Sequence, residues 1–188
     1  MLSICADISL LKHSNFTITD IEVTGLEKTD RLIEIGAIKI LGGKRTEYFH
    51  SFIRPDFDYD KSILCFLGIA DDDLQNATSV SCVLESFKAF VGSDTLLIHN
   101  APFDVPYLNA ELSASNIELD NQVIDLCTVV NSPRPRALKK YASEMGIPAP
   151  DHYSVCNSLI LIEEILKKSG IISQQLNMNS KNGGEGLQ

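Results

Sequence analysis

The chain has 188 residues, which is enough for one hydrophobic core, and 44% of them are hydrophobic. Its formal net charge of −9 argues against a protein that coats duplex nucleic acid with a broad basic face. An enzyme that holds a few phosphates through bound metal remains compatible with that charge. The 5 cysteines include no C-x-x-C pair, which suggests neither a disulfide framework nor a zinc site and favours a reducing compartment.

The two ends of the chain differ in composition from its middle. Residues 1–14 lack the positively charged start of a signal peptide, and we expect them to form an N-terminal lead. No apolar run approaches the roughly 20 residues of a membrane-spanning helix, so we expect a soluble, cytoplasmic protein without a membrane partner. Residues 171–188 are rich in Ser, Gln, Asn and Gly, which predicts a flexible polar tail behind a domain of residues 15–170.

The first elements of this domain are predicted to be strands. Residues 16–21 are rich in β-branched and aromatic side chains, and residues 31–41 form a long aliphatic run. Gly42 and Gly43 offer the positive φ angles of a tight hairpin, after which residues 46–53 resume the strand pattern. The second and third strands should therefore be antiparallel neighbours.

The following segments alternate between helices and strands. Apolar residues at helical spacing predict an amphipathic helix over residues 79–91, and a short buried strand follows at 95–99. Further helices are predicted around residues 103–112, 138–145 and 155–168, with a strand at 123–126. A hairpin followed by such an alternation predicts an α/β fold, a mixed sheet flanked by helices.

Asp20 and Glu22 are the first candidate functional pair. They lie two residues apart at the end of a predicted strand, so the pleat sends both side chains to one side, where they could share a cation. An acidic pair also commonly marks a solvated strand end. Asp104 follows a buried strand and opens a helix, which fits either a third metal ligand or an acid placed at a helix start.

His152 lies before the last predicted helix, and Asn157 lies in the first turns of that helix. At 100° per residue, positions five apart do not share a helix face, but they converge if His152 lies in the loop before the helix. A lone histidine is more often a surface residue than a catalytic base.

Three spaced motifs resemble those of the DEDDh superfamily of 3′→5′ exonucleases. They run from Phe16 through Asp20, Glu22 and Thr24 to Gly25, from His99 to Asp104, and from His152 to Asn157. The pattern is most similar to the epsilon-like branch, the proofreading subunits of bacterial DNA polymerase III. Segments 31–37, 49–55, 68–69 and 123–125 share the resemblance, which implies a ribonuclease H-like fold.

The resemblance also implies roles for individual residues. Two divalent ions, Mg²⁺ or Mn²⁺, are expected on Asp20, Glu22, Asp104 and the residue at 157. His152 is expected to be the general base that takes a proton from the attacking water. The backbone at Val23 and Thr24 should meet the 3′ hydroxyl of the terminal nucleotide, and Asn100 and Phe103 should line the site.

The chain departs from the superfamily at several positions. Asn157 stands where the fourth acid is usual, Val23 where Thr is usual, Ser154 where Ala is common, and Leu67 where the epsilon-like branch tends to have His. An asparagine at this position keeps one carbonyl oxygen as a ligand but removes a full negative charge. Because hard cations bind mainly through charge, this change strongly weakens the attraction of the site for the metal ion. We therefore expect weaker binding of one metal and an impaired enzyme.

Three functions agree with these patterns. The leading one is an exonuclease that acts on single-stranded or frayed 3′ ends of DNA. The others are an inactive nucleic-acid-binding or polymerase-associated module and an exoribonuclease that trims RNA 3′ ends.

A DNA polymerase subunit or a sliding clamp is the expected protein partner. Residues 175–178 faintly resemble glutamine-led segments that dock on sliding clamps. Asn179 stands where such segments usually have an aromatic residue, which favours an ordinary tail instead.

Overall fold

The computed structural model describes residues 1–12, 15–27, 29–132, 137–150 and 154–172. The strands are β1 (Ser3–Cys5), β2 (Asn15–Val23), β3 (Leu32–Leu41), β4 (Lys44–Phe52), β5 (Thr95–Ile98) and β6 (Gln122–Asp125). The helices are α1 (Ser9–Lys12), α2 (Ser62–Leu67), α3 (Asp71–Gln75), α4 (Val80–Val91), α5 (Ala101–Ala114), α6 (Leu126–Val129), α7 (Leu138–Glu144) and α8 (Val155–Lys168).

The strands form one mixed sheet in the order β1-β6-β5-β2-β3-β4. β2 runs antiparallel to β3 and parallel to β5, and β5 runs parallel to β6. Helices cover both faces of the sheet, so the predicted α/β class with a mixed, helix-flanked sheet is confirmed. Because β2, β5 and β6 are parallel, their carboxyl ends lie together at one edge of the sheet.

Alternation along β2 divides the core into two layers. Phe16 and Ile18 belong to the layer that also contains apolar residues of α7 and α8. Ile21 and Val23 belong to the opposite layer, which contains apolar residues of α4 and α5. Asp20 and Glu22 share the pleat face of Phe16 and Ile18, since residues two apart on a strand point the same way. Asp20 and Glu22 therefore extend the row of side chains formed by Phe16 and Ile18, past the point where the apolar core ends.

The predicted hairpin and most predicted elements are confirmed within one to three residues at their ends. Gly42 and Gly43 have φ angles of 57° and 75°, as a tight turn between β3 and β4 requires. α4 buries Val83, Leu84, Phe87 and Val91, four of the five apolar residues whose spacing predicted the helix, and half-buries the fifth, Val80.

Several elements were not predicted from the sequence. β1 lies within the segment expected to be a lead, pairs in parallel with β6 and adds an edge strand to the sheet. The short helices α2 and α3 pack around Ile33, which is fully buried. The domain boundaries stay a prediction, and residues 173–188 lie outside the described part of the chain.

Within the part of the chain that the structure describes, no helix combines the length and the apolar character needed to cross a membrane.

Candidate active site

The carboxyl end of β2 presents two acids. Asp20 is buried, with 9% of its surface exposed, whereas Glu22 is only partly buried. Thr19 pairs with Ile98 of β5, so Asp20 lies just beyond the last paired residue of that neighbouring strand. On the other side Asp20 pairs with Gly36 of β3.

The turn between β5 and α5 brings a third acid to the same edge. Asn100 adopts a left-handed conformation with φ 58° and ψ 46°, which turns the chain sharply into α5. Its backbone N–H donates to Asp125 Oδ1 at 3.2 Å, and the same oxygen accepts from the backbone N–H of Cys127 at 2.8 Å. Asp104 then falls in the first turn of α5 and is 6% exposed.

Gly36 allows α8 to approach this edge closely. A Cβ atom at Gly36 would lie 2.4 Å from Val155 Cγ1 and 3.0 Å from Leu159 Cδ1, so no larger residue fits without a shift. At the start of the helix, Ser154 Oγ accepts a hydrogen bond from the backbone N–H of Asn157 at 3.3 Å. This approach places Asn157 and Ser158 beside the acids of β2.

These elements enclose a cavity of about 200 Å³. The lining contains Asp20, Ile21, Glu22, His99, Asn100, Phe103, Asp104, Ala137, Leu138, Lys139, Pro150, Asn157, Ser158 and Leu161. The structure therefore brings together the four residues that were predicted to bind metal, namely Asp20, Glu22, Asp104 and Asn157. It also places Asn100 and Phe103, which were predicted to line the site, in the same cavity.

Two predicted substrate contacts that the structure describes, Val23 and Thr24, are not among the lining. Both residues are buried. Thr24 Oγ1 donates to Asp30 Oδ1 at 2.8 Å, and its backbone N–H donates to the carbonyl oxygen of Arg31 at 3.0 Å. Their contact with a nucleotide stays a prediction. His152 lies outside the described residues, so its role as a general base also stays a prediction.

The cavity raises the pKa of all three carboxyl groups. Burial, and then the charge of Glu34, raise the pKa of Glu22 to about 8. Burial and then the charges of Asp104 and Glu22 raise the pKa of Asp20, against a hydrogen bond from Ser158 that lowers it. Burial, followed by the charges of Glu22 and Asp125, raises the pKa of Asp104. Each group thus resists ionisation in the cavity without a cation.

The donor set fits divalent metal ions. In the described part of the chain, no lysine or arginine forms an ion pair with Asp20, Glu22 or Asp104. Clustered carboxylates without a balancing cation repel each other, and hard ions such as Mg²⁺ and Mn²⁺ prefer carboxylate and carbonyl oxygens. A bound cation would favour the ionised form of all three acids. Asn157 contributes a neutral amide to the lining of the same cavity.

Several contributors to the site were not assigned a role from the sequence. Ser158 lines the cavity and lowers the pKa of Asp20, and Asp125 anchors the turn at Asn100. Asp125 had a recognisable signal in the sequence, since it ends a buried strand directly before a helix. Lys139 enters the cavity lining from α7, for which the sequence offered no local signal.

Three acids line the cavity at the carboxyl ends of the parallel strands, which is the arrangement expected of a metal-dependent enzyme. The model of the exonuclease family RNase_T matches residues 17–156, and the chain belongs to this family, within the DEDD-type 3′→5′ exonuclease superfamily.

Sequence relatives are PolC-type DNA polymerase III chains. The Bacillus cereus protein is 36% identical over 118 residues, which cover 62% of this chain and 8% of the relative. The Clostridium perfringens protein is 31% identical over 160 residues, covering 82% of this chain and 11% of the relative. The chain therefore spans about a tenth of the length of these polymerases.

Solved structures share the fold at low identity. Cell-death related nuclease 4 superimposes with a TM-score of 0.70 and 16% identity, covering 84% of this chain and 64% of the other. Exonuclease X, solved in complex with 5′ overhanging duplex DNA, gives a TM-score of 0.60 and 18% identity over 82% of this chain and 93% of the other. These matches confirm the expected ribonuclease H-like fold.

Proposed function

We propose that the chain is a 3′→5′ exonuclease that hydrolyses nucleotides from the 3′ ends of DNA. The observation that carries the proposal is the convergence of Asp20, Glu22 and Asp104 in one cavity, together with their raised pKa values. Relatives named as DNA polymerases favour DNA as the substrate, because they match this chain at 31–36% identity. The product is a nucleoside 5′-monophosphate.

The metal-binding residues in this proposal are Asp20, Glu22, Asp104 and Asn157. When bound, two Mg²⁺ or Mn²⁺ ions would stabilise negative charge on the attacking and leaving oxygens of the scissile phosphodiester. Asp20 is positioned for such binding by its place in the centre of the sheet, and Ser158, which lines the same cavity, lowers the pKa of its carboxyl group. Asp104 is positioned by the turn that Asp125 anchors.

The remaining residues would position the substrate and move a proton. The ring of Phe103 lines the cavity and packs against Tyr107 with 5.2 Å between ring centroids, so it offers an aromatic surface for a terminal base. Asn100 offers an amide beside it. His152 would accept the proton of the attacking water, and the backbone at Val23 and Thr24 would contact the 3′ hydroxyl.

Asn157 lowers the expected rate of this enzyme. Its amide matches a carboxylate in size but carries no charge, so the cation that it contacts loses one strong ligand. We infer a working but slow enzyme in which one metal binds less tightly than the other.

The test compares this chain with its Asn157→Asp and Asp104→Asn variants on a single-stranded DNA oligonucleotide labelled at its 5′ end. With Mn²⁺ we expect stepwise shortening from the 3′ end and release of 5′-mononucleotides. Asn157→Asp should be at least 10-fold faster, since a carboxylate in place of an amide adds a full charge to the metal site. Asp104→Asn should abolish hydrolysis.

Two results would reject the proposal. One is the absence of mononucleotide release by both this chain and Asn157→Asp, which would leave the inactive nucleic-acid-binding module. The other is cleavage within the strand in place of stepwise shortening. An RNA oligonucleotide of the same sequence, run in parallel, separates the DNA exonuclease from an RNA 3′-end trimmer through the ratio of the two rates.

A DNA polymerase is the proposed protein partner, because the sequence relatives are polymerase chains many times longer than this one. The sliding clamp is a second proposed partner, and the segment 175–178 that would bind it lies outside the described residues. A peptide spanning residues 173–180 should bind the clamp and lose binding when Leu176 and Met178 become Ala. Absence of binding at high micromolar clamp would reject that partner.

A further inference from the structure

Three potential metal ligands meet beside the catalytic cavity, and none of them lines it. They are Glu34 of β3, His50 of β4 and Cys156 of α8. One ligand atom from each, a carboxylate oxygen, an imidazole nitrogen and a thiol sulfur, lies within 4.8 Å of the other two. We call this group the Cys-His-Glu cluster.

The sheet register and Gly36 together build the cluster. His50 pairs with Gly36, and Glu34 lies two residues before Gly36, so both side chains emerge on the face that α8 covers. The missing side chain at Gly36 lets the start of α8 approach the sheet, which carries Cys156 over β3 and β4. Three separate elements thus converge on one point.

The contacts inside the cluster leave one buried oxygen unsatisfied. His50 Nε2 and Glu34 Oε1 are 2.7 Å apart, and Tyr48 Oη and Cys156 Sγ are also 2.7 Å apart. Glu34 is 1% exposed, yet its Oε2 atom has no hydrogen-bond partner within the described part of the chain. A buried carboxylate oxygen without a partner is costly, and a cation is the partner that best offsets its charge.

We propose that Glu34, His50 and Cys156 bind one thiophilic divalent ion of the Zn²⁺ or Co²⁺ class, at a site separate from the catalytic metals. A thiolate, an imidazole and a carboxylate form a ligand set that suits these ions, whereas Mg²⁺ and Mn²⁺ favour oxygen ligands alone. Three protein ligands leave a fourth tetrahedral position for water.

Only small movements separate the described arrangement from a bound one. Ligand atoms around tetrahedral zinc lie about 3.3–3.8 Å apart, given bond lengths of about 2.0–2.3 Å. The hydrogen bond between His50 and Glu34 must open, and any distance among the three ligand atoms that exceeds this range, up to the present limit of 4.8 Å, must shorten. Binding converts the Cys156 thiol to a thiolate and releases its proton to solvent.

The site lies close enough to the catalytic residues for the two to be linked. Cys156 directly precedes Asn157, and Glu34 pairs with Glu22 across β2 and β3. An ion on Glu34 would offset the negative charge that faces Glu22, and it would fix the first turn of α8. Occupancy of the cluster should therefore change the affinity of the catalytic acids for Mn²⁺.

The test is a Co²⁺ titration of the full chain, monitored by thiolate-to-cobalt charge-transfer absorption in the near ultraviolet. We expect one equivalent to produce the band, Zn²⁺ to abolish it, and a large excess of Mg²⁺ to leave it unchanged. Cys156→Ser should remove the band, and His50→Ala should weaken Co²⁺ binding at least 10-fold. Circular dichroism of each variant checks that it is folded.

Two control variants separate this site from other ligands. Cys82→Ser changes an exposed cysteine on α4 and should keep the band. Asp20→Asn removes a catalytic ligand and should keep it as well. The proposal is overturned if the folded chain gives no band, if the band survives Cys156→Ser, or if Asp20→Asn removes it.

Discussion

The carboxyl group of Glu22 should make the metal-free chain less stable as the pH rises. Burial and the charge of Glu34 raise its pKa from 4.5 to about 8 in the folded chain. Because the folded pKa lies above the unfolded one, the folded state binds the proton more tightly. The stabilising contribution is complete below pH 4.5 and is lost as the pH rises through 8.

The size of the effect follows from linkage. Each pKa unit corresponds to about 1.4 kcal/mol, so this single group should reduce the free energy of unfolding by about 2 kcal/mol between pH 5 and pH 7. The raised pKa values of Asp20 and Asp104 act in the same direction. Mn²⁺ should oppose the loss, because it binds the ionised acids of the folded state and not the unfolded chain.

Urea unfolding at pH 5, 6 and 7, with a chelator or with Mn²⁺, measures this loss. Glu22→Gln should reduce the fall in stability between pH 5 and pH 7 in the chelator and should remove part of the Mn²⁺ effect at pH 7. Glu85→Gln, which changes an exposed acid of α4, is the matched control and should behave like the parent chain. Identical pH dependence in the parent and in Glu22→Gln would refute the reasoning.

Three further predictions concern the same site. Calorimetric titration with Mn²⁺ should show two unequal affinities, because Asn157 supplies no charge to its metal; two equivalent tight sites would contradict this. In the Asn157→Asp background, His152→Ala should lower turnover while DNA binding changes little, and an unchanged rate would reject the assigned role. Gly36→Ala should destabilise the chain by about 1–3 kcal/mol because its Cβ would lie 2.4 Å from Val155 Cγ1. Adding Val155→Ala should recover part of that loss, and strictly additive losses in a double-mutant cycle would argue against the contact.

The sequence predicted the fold well where hydrophobic periodicity is strong. β3 and α4 have long apolar patterns, and both were placed within a residue or two of their observed ends. β1 is only 3 residues long and carries no alternating pattern, so its place in the sheet depends on pairing with β6. Such pairing is a tertiary effect that local sequence does not encode.

The acidic site was predictable because three motifs together resemble those of the exonuclease superfamily. Taken alone, Asp20 and Glu22 at a strand end and Asp104 at a helix start fitted ordinary structural positions equally well, and the resemblance implied that they meet. The Cys-His-Glu cluster had no such pattern, since Glu34, His50 and Cys156 come from three elements and their spacing matches no metal-binding motif. Its prediction would have required the register of β3 against β4 and the close approach of α8 at Gly36.

The central position of β2 has a consequence for motion. Its backbone is paired on one side with β3 and on the other with β5, so Asp20 and Glu22 sit on a strand that opens only when much of the sheet opens. Amide hydrogens of β2 should therefore be among the slowest to exchange with solvent. An arriving metal ion would therefore meet Asp20 and Glu22 already held in place. Its binding would remove protons from these carboxyl groups and would move the backbone of β2 very little.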